Sequence, residues 1–161
     1  MIHVGYSTQT MILKTPVGPL TLGYIKDNLI CEFGHKKINR EPSKKLASQL
    51  RDYLQGKKVK RFEFKTPKIA TFTTNCWDAC RNIPYGETKT YKELAQDAGS
   101  PNAMRAAGQA MRNNPLTILT PCHRVIASNG KLHGYGGATN PKSKQLKQKA
   151  FLLNLEQSTM S

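Results

Sequence analysis

Acidic residues and long hydrophobic runs are both scarce in this sequence. Ten aspartates and glutamates stand against 25 lysines and arginines, which gives a formal net charge of +15 over 161 residues. There is no run of about 18 apolar residues, the length that a transmembrane helix needs, and the first residues lack the pattern of a signal peptide. The charge favours a polyanionic partner, nucleic acid before an anionic membrane surface, because each cation near a phosphate releases condensed counterions. We expect a cytoplasmic protein, nuclear in a eukaryote, that does not act at a membrane.

Cysteines are also few, and their spacing does not match the usual zinc sites. The four are Cys31, Cys76, Cys80 and Cys122, with no Cys-x-x-Cys pair and no zinc-finger histidines at the required spacing. Cys76 and Cys80 are separated by one helical turn in a predicted helix, which favours packing in the core. We therefore expect no metal and no cofactor.

The composition changes between the two halves of the chain and predicts an α+β fold of two domains. In residues 1–66, short apolar runs alternate with turn residues, as in the hairpin strands of a small sheet. A helix with Ser43 as its N-cap is predicted to follow and to end at Gly56. Six lysines and arginines between residues 56 and 68 indicate a basic strand or connection. Residues 67–161 form the second domain, which is predicted to be mainly helical.

The second half contains a candidate helix-turn-helix. One helix is predicted over residues 72–81, and Thr90 is placed to cap a second helix over residues 91–97. The dipeptide at 100–101, serine then proline, is predicted to open a third helix that ends at Arg112. A glycine-containing turn between the last two helices completes the pattern, which helical hairpins without a DNA role also show.

The third predicted helix has a surface of small residues next to two arginines. The small residues are Ala103, Ala106, Ala107, Gly108 and Ala110. They would let the backbone approach a large partner, and Arg105 and Arg112 lie on a neighbouring stripe. Together with the net charge, this favours DNA contact over the alternative that alanine is simply a strong helix former. Met104 and Met111 recur at helical spacing with Ala107 and are predicted to face the core.

The pentapeptide at residues 121–125 is the strongest functional signal. It places a potential thiolate, Cys122, beside a proton acceptor, His123, and a fixed positive charge, Arg124. The apolar, β-branched run at residues 116–120 is predicted to be a short buried strand, with the thiol just beyond its end. Catalysis at sulfur is therefore the main hypothesis, and a small buried cysteine without a chemical role is the alternative.

Five motifs follow one another in the second half of the chain. They are Pro84-Tyr85-Gly86-Glu87, Thr90-Tyr91-Lys92-Glu93-Leu94-Ala95, Met104-Arg105-Ala106-Ala107-Gly108, Met111-Arg112-Asn113-Asn114-Pro115 and Pro121-Cys122-His123-Arg124-Val125-Ile126. Together they closely resemble the O6-alkylguanine-DNA alkyltransferase family. Two further segments also fit the pattern of that family, Gly134-Tyr135-Gly136-Gly137 and Leu152-Leu153-Asn154-Leu155-Glu156. The resemblance implies irreversible transfer of an alkyl group from O6 of a damaged guanine to Cys122.

The resemblance implies a role for each residue of the reaction site. Cys122 would be the nucleophile, His123 its base through a bridging water, and Glu156 the carboxylate that orients His123. Tyr91 would donate a hydrogen bond to the guanine ring, and Asn114 would brace the loop by bonding to backbone on both sides. The lesion pocket would be lined by Met111, Tyr135 and Gly136.

The implied partner is double-stranded DNA that contains O6-alkylguanine, with O4-alkylthymine as a second lesion, bound by a monomer. The third helix would lie in the minor groove, and Arg105 would enter the space left when the lesion is rotated out of the stack. The DNA contacts would come from Arg105, Lys92, Ala103, Ala106, Gly108, Arg112 and Arg124.

Three other functions remain as alternatives. A non-enzymatic lesion binder of the alkyltransferase-like type would lack the nucleophile, commonly replaced by tryptophan, whereas Cys122 is present. A thiol hydrolase would turn over small esters or peptides. A helix-turn-helix regulator would bind undamaged operator DNA and be indifferent to Cys122→Ser.

Overall fold

The first part of the protein is a four-stranded antiparallel sheet followed by a helix. The computed structural model describes residues 4–7, 10–130 and 143–160. Each strand of the sheet pairs with the next along the chain. The strands are β1 (Val4–Ser7), β2 (Thr10–Thr15), β3 (Gly18–Ile25) and β4 (Asn28–Phe33), and helix α1 (Lys44–Leu54) follows. The predicted small sheet with one helix is confirmed, as is Ser43 as the N-cap, which accepts the Leu46 N–H at 3.1 Å.

The second part of the chain is mainly helical, as predicted. Its helices are α2 (Phe72–Arg81), α3 (Tyr91–Asp97), α4 (Met104–Arg112) and α5 (Lys144–Met160), with a 3-10 helix at Cys122–Arg124 and short strands β5 (Lys89–Thr90) and β6 (Val125–Ile126). Thr90 caps α3 by accepting the Glu93 N–H, while the Glu93 carboxylate accepts the Thr90 N–H. Strand β5 directly precedes α3, and β6 directly follows the 3-10 helix. Their parallel pairing therefore places the start of α3 beside the end of the 3-10 helix.

Helix α4 begins later than predicted. Ser100 and the proline after it precede the helix, and Ala103, the N-cap, makes no side-chain capping bond. The Ala103 N–H donates instead to the Ser100 carbonyl at 2.9 Å. The buried side chains of α4 are Ala107, Ala110 and Met111. The prediction that Met104 faces the core is wrong, because the buried stripe begins one turn later and leaves Met104 49% exposed.

The residues before Cys122 form turns and not the predicted buried strand. Leu116 makes one isolated bridge with Cys31 of β4, and Ile118 has a φ of 74°, which interrupts an extended backbone. Both Leu116 and Ile118 are nevertheless buried, so the apolar run marks the core without marking a strand. The basic connection at residues 57–70 also has no regular secondary structure.

Two hydrophobic cores hold these elements together. The first joins β2, β3, β4 and α1 to Tyr85, Leu116 and Leu152 from the second half of the chain. The second packs α2, α3 and α4 around Cys80 and Cys122. The sheet therefore supports the turn that leads to Cys122, and the domain boundary at residue 66 stays a prediction. None of the helices in the described residues is long and apolar enough to cross a membrane.

Candidate active site

Cys122 lies in a loop whose shape is set by hydrogen bonds to the backbone. It begins the 3-10 helix directly after Pro121 and is 5% exposed. Asn114 accepts the Leu116 N–H at 3.0 Å and donates through Nδ2 to the Thr120 carbonyl at 2.8 Å. Asn114 thus bonds to the backbone through both ends of its amide, as predicted, and these bonds hold the turn that leads to the thiol.

His123 and Glu156 form a buried pair next to the thiol. Nε2 of His123 lies 2.8 Å from Oε1 of Glu156, and the two side chains are 0% and 1% exposed. The other ring nitrogen, Nδ1, has no hydrogen-bond partner among the described residues. Helix α5 supplies Glu156, and the 3-10 helix supplies His123. Glu156, the carboxylate predicted to orient His123, is the partner observed.

Arg124 belongs to this buried cluster. Its Nη2 donates to Oε1 of Glu156 at 2.8 Å, its Nε donates to Oε2 at 3.0 Å, and its Nη1 donates to the Ile83 carbonyl at 2.8 Å. The Gly86 N–H also donates to Oε2, at 3.1 Å. The prediction that Arg124 contacts DNA is wrong, because the side chain is 4% exposed and turned inward to neutralise a buried carboxylate.

The charges of this cluster suit proton transfer from a thiol. Burial opposes ionisation of Glu156, but the hydrogen bonds from His123 and Arg124 and the charge of Arg124 outweigh it and hold the pKa of Glu156 well below its usual range. Burial lowers the pKa of His123, against the opposing effect of Glu156. A neutral imidazole beside an ionised carboxylate can take up a proton and share the resulting charge.

Lys149 is a buried cation that no sequence pattern revealed. It is 0% exposed, its Nζ donates to the Val125 carbonyl at 2.6 Å, and it lies 5.9 Å from the centre of the Tyr91 ring. Burial lowers the pKa of Lys149 to about 8, although Cys122 and Cys80 act in the opposite direction. In a chain this rich in lysine, no local signal distinguishes a buried lysine from an exposed one.

An open pocket of about 480 Å³ lies along α4. Its lining contains five of the predicted site residues, Tyr91, Lys92, Arg105, Gly108 and Arg112, together with Met104, Gln109 and residues 127–129. Burial, with smaller effects of Cys122 and Cys80, raises the pKa of Tyr91 to about 12. The phenol therefore keeps its proton at neutral pH and can act as a hydrogen-bond donor.

The other predicted site residues lie in different surroundings. Ala106 is exposed on α4, and Ala103 is half-buried at its start. Met111 is 5% exposed and packs in the second core, the one that contains Cys122. Tyr135 and Gly136 lie outside the described residues.

A family model described as the DNA binding domain of 6-O-methylguanine DNA methyltransferase matches residues 71–158. That range contains the thiol, the buried histidine and glutamate, and α4. The chain belongs to the 6-O-methylguanine DNA methyltransferase family. The match confirms the resemblance found in the sequence motifs. It also confirms the prediction that this chain is a methyltransferase with a DNA-binding domain.

Similarity to individual members of the family extends beyond the matched domain. The methylated-DNA–protein-cysteine methyltransferase of Methanosarcina acetivorans is 40% identical over 157 residues, which are 90% of this chain and 96% of the relative. The crystal structure of Mycobacterium tuberculosis O6-methylguanine methyltransferase superposes with a TM-score of 0.72 at 34% identity, over 99% of this chain and 94% of that one. The structure of Mycobacterium tuberculosis OGT in complex with DNA gives a TM-score of 0.74 at 33% identity, over 92% of each chain. The predicted α+β fold is confirmed.

Proposed function

We propose that this chain repairs alkylated double-stranded DNA by moving the alkyl group from O6 of guanine, and as a second lesion from O4 of thymine, to Sγ of Cys122. The observation that carries the proposal is the buried His123–Glu156 pair beside Cys122, in which Nδ1 of His123 has no partner among the described residues. The similar protein from Methanosarcina acetivorans, a methylated-DNA–protein-cysteine methyltransferase by name, supports the same substrate class. A cytoplasmic location and a monomeric state stay predictions.

The proposed reaction is an in-line displacement at carbon. The sulfur of Cys122 forms a bond to the alkyl carbon as the bond from that carbon to O6 breaks, and the electron pair leaves with the guanine. The thiol proton passes through a bridging water to Nδ1 of His123, and Glu156 stabilises the imidazolium. The departing guanine takes up a proton from water while His123 releases the thiol proton to water, so the products are a thioether and an unmodified base. Because a thioether is not hydrolysed under mild conditions, each molecule acts once.

The lesion must leave the base stack before the thiol can reach it. In the proposed complex, α4 lies in the minor groove, where its small residues permit close approach, and Arg105 fills the space left in the duplex. Tyr91 donates a hydrogen bond to the guanine ring and stabilises the charge that develops on the leaving group. Two observations support these roles: Arg105 is exposed, and Arg105 and Tyr91 line the same pocket along α4.

Intact-protein mass measured after mixing with an oligonucleotide that carries one O6-methylguanine tests the proposal. We expect a gain of one methyl group per protein, which peptide mapping locates on Cys122 and which excess DNA does not increase. Cys122→Ser should gain none and still bind the DNA, because a hydroxyl is a far weaker nucleophile at neutral pH. Full activity in that variant would exclude the mechanism, and lesion binding without transfer by the wild type would instead favour a damage-flagging protein.

A further inference from the structure

Tyr53, in the first half of the chain, reaches the buried His123–Glu156 pair. It belongs to α1 and is 0% exposed. Its hydroxyl donates to Oε1 of Glu156 at 2.7 Å and lies 3.3 Å from Nε2 of His123. The ring is held edge-on against Tyr85, with the ring centres 5.9 Å apart. A side chain of α1 thus contacts both members of the pair that adjoins Cys122.

The hydrogen atoms around Nε2 can be arranged in one consistent way. The Tyr53 hydroxyl has a single hydrogen, and the short contact assigns it to the Glu156 carboxylate. The hydroxyl can then only accept from Nε2, and the carboxylate can also only accept. Nε2 of His123 therefore carries the hydrogen, and in the neutral ring Nδ1 is the atom that accepts a proton. Burial and the neighbouring Glu156 raise the pKa of Tyr53 well above its usual range, so this arrangement persists at alkaline pH.

Tyr53 also shares the carboxylate oxygen that stabilises a protonated His123. Among the described residues, three charged groups act on the ring: Glu156 favours its protonated form, whereas Arg124 and Lys149 oppose it, as burial does. Oε1 of Glu156 accepts from Tyr53, His123 and Arg124 together. A carboxylate that loses one of these donors interacts more strongly with the remaining ones, so loss of the Tyr53 hydroxyl should make His123 more basic.

We propose that Tyr53 is a positioning residue that holds His123 as the Nε2–H tautomer and limits how strongly His123 retains a proton. Nδ1 then faces the reaction as an acceptor for the Cys122 proton. The inference rests on the proposed alkyl transfer, and it gives the first half of the chain a part in the chemistry. Tyr53 acts through His123 and Glu156 and does not need to touch the DNA.

The chain offers a matched control for this role. Tyr85 is also buried, packs against Tyr53, and has a hydroxyl with no hydrogen-bond partner among the described residues. Tyr53→Phe and Tyr85→Phe therefore remove the same atom from neighbouring sites, but only the first removes a hydrogen bond to Glu156. General effects of losing a buried hydroxyl should appear in both variants.

The test is the single-turnover rate of methyl transfer from duplex DNA as a function of pH, with nitrogen-15 NMR of His123 in the wild type. In Tyr53→Phe, we expect the acid limb of the rate profile, where the rate falls as the pH decreases, to lie roughly one pH unit higher than in the wild type. Transfer at pH values below that limb should then be roughly tenfold slower than in the wild type, because one hydrogen bond to a charged group is lost. Tyr85→Phe should leave the limb in place.

Two results would overturn the inference. One is an acid limb in Tyr53→Phe at the wild-type pH, whatever the loss of stability, since that would make Tyr53 a purely structural residue. The other is a wild-type NMR spectrum that places the hydrogen of neutral His123 on Nδ1. This measurement needs no variant, so it decides the tautomer even if Tyr53→Phe does not fold. Absence of any methyl transfer by the wild type would instead contradict the proposed function.

Discussion

The loop that carries Cys122 and the outer face of α4 differ in how their charged side chains are partnered. In the loop, His123 and Arg124 are at most 4% exposed, and both bond to Glu156. On α4, Arg105 and Arg112 are exposed, and no salt bridge or hydrogen bond of theirs is found within the described residues. The protein therefore pairs the charged groups of the loop internally and leaves those of α4 available to a partner.

This difference matches the two tasks that the proposed function requires. A group that transfers a proton must be oriented before the substrate arrives, and burial with fixed hydrogen bonds provides that orientation. Contact with a phosphate backbone needs exposed cations, which gain affinity by releasing counterions when they reach DNA. Changes to the buried groups of the loop should therefore alter stability and chemistry together, whereas changes to the exposed arginines of α4 should alter the interaction with DNA and leave stability unchanged.

Glu156→Gln should have the largest effect on stability, because it leaves Arg124 as an uncompensated buried charge. We expect a loss of about 3 to 5 kcal/mol in the free energy of unfolding, measured by chemical denaturation, and a marked loss of methyl transfer. Glu87→Gln, an exposed carboxylate nearby, is the control and should change stability by less than about 0.5 kcal/mol. Equal effects of the two changes would contradict the buried ion pair.

The same carboxylate predicts a pH dependence of stability. The folded protein holds the pKa of Glu156 below its ordinary value of 4.5, so the unfolded chain binds the proton first as the pH falls. The stabilisation is fully present above that ordinary value and is lost as the pH falls toward the pKa of the folded state. Denaturation at a series of acidic pH values should show this loss in the wild type and a smaller one in Glu156→Gln.

Asn114→Ala should have a smaller effect, confined to the turn before Cys122. It removes two hydrogen bonds to the backbone, with Leu116 and Thr120, and we expect a loss of about 1 to 3 kcal/mol in unfolding free energy. Methyl transfer to Cys122 should slow because the thiol is less well positioned. Wild-type rates in a measurably destabilised Asn114→Ala would show that the turn does not govern the position of the thiol.

Arg105→Ala tests the other region and should leave stability unchanged. We expect repair of O6-methylguanine in duplex DNA to slow by roughly tenfold or more, because part of the cost of unstacking the base is no longer offset, while reaction with free O6-benzylguanine keeps its rate. Arg112→Ala is the matched control and should weaken binding to damaged and undamaged DNA alike. Equal losses of Arg105→Ala on both substrates would exclude the base-rotation role.

Gly108→Ala should produce the smallest change, with protein stability and DNA affinity moving in opposite directions. An added Cβ would lie 4.0 Å from Cδ1 of Tyr91, an ordinary contact, so the helix should gain up to about 1 kcal/mol in stability. DNA affinity should fall a few-fold if the backbone of α4 approaches the duplex closely. Thermal melting and a binding titration measure both quantities, and unchanged affinity would place the duplex farther from Gly108.

Local chemistry made some elements predictable in detail. Helix α3 has the predicted bounds because Thr90 and Glu93 cap each other's backbone, an interaction within four residues of sequence. The role of Asn114 was implied by the family resemblance, and its two observed contacts lie within six residues of it. The start of α4 was not predictable, because Ser100 and Pro101 resemble a cap but close a turn before the helix.

Burial of charged residues was where sequence reasoning failed. The family resemblance implied that Arg124 contacts DNA, yet its partner is Glu156, 32 residues away. Tyr53 was predictable as part of a helix, but its hydroxyl bonds to a residue 103 positions later. Lys149 carried no signal at all. Each case depends on a contact that forms only when α1, α5 and residues 122–125 pack together.

The sequence by itself determined the candidate nucleophile, the helix caps Ser43 and Thr90, the excess positive charge and the family, because these depend on residue type and on short spacings. Only the tertiary structure decided which charged groups are buried together and which remain exposed. The physical reason is that a buried charge is tolerated only where a partner is brought within hydrogen-bond distance, and that partner comes from a distant part of the chain. For Glu156 the side-chain partners are Tyr53, His123 and Arg124, which come from opposite halves of the protein.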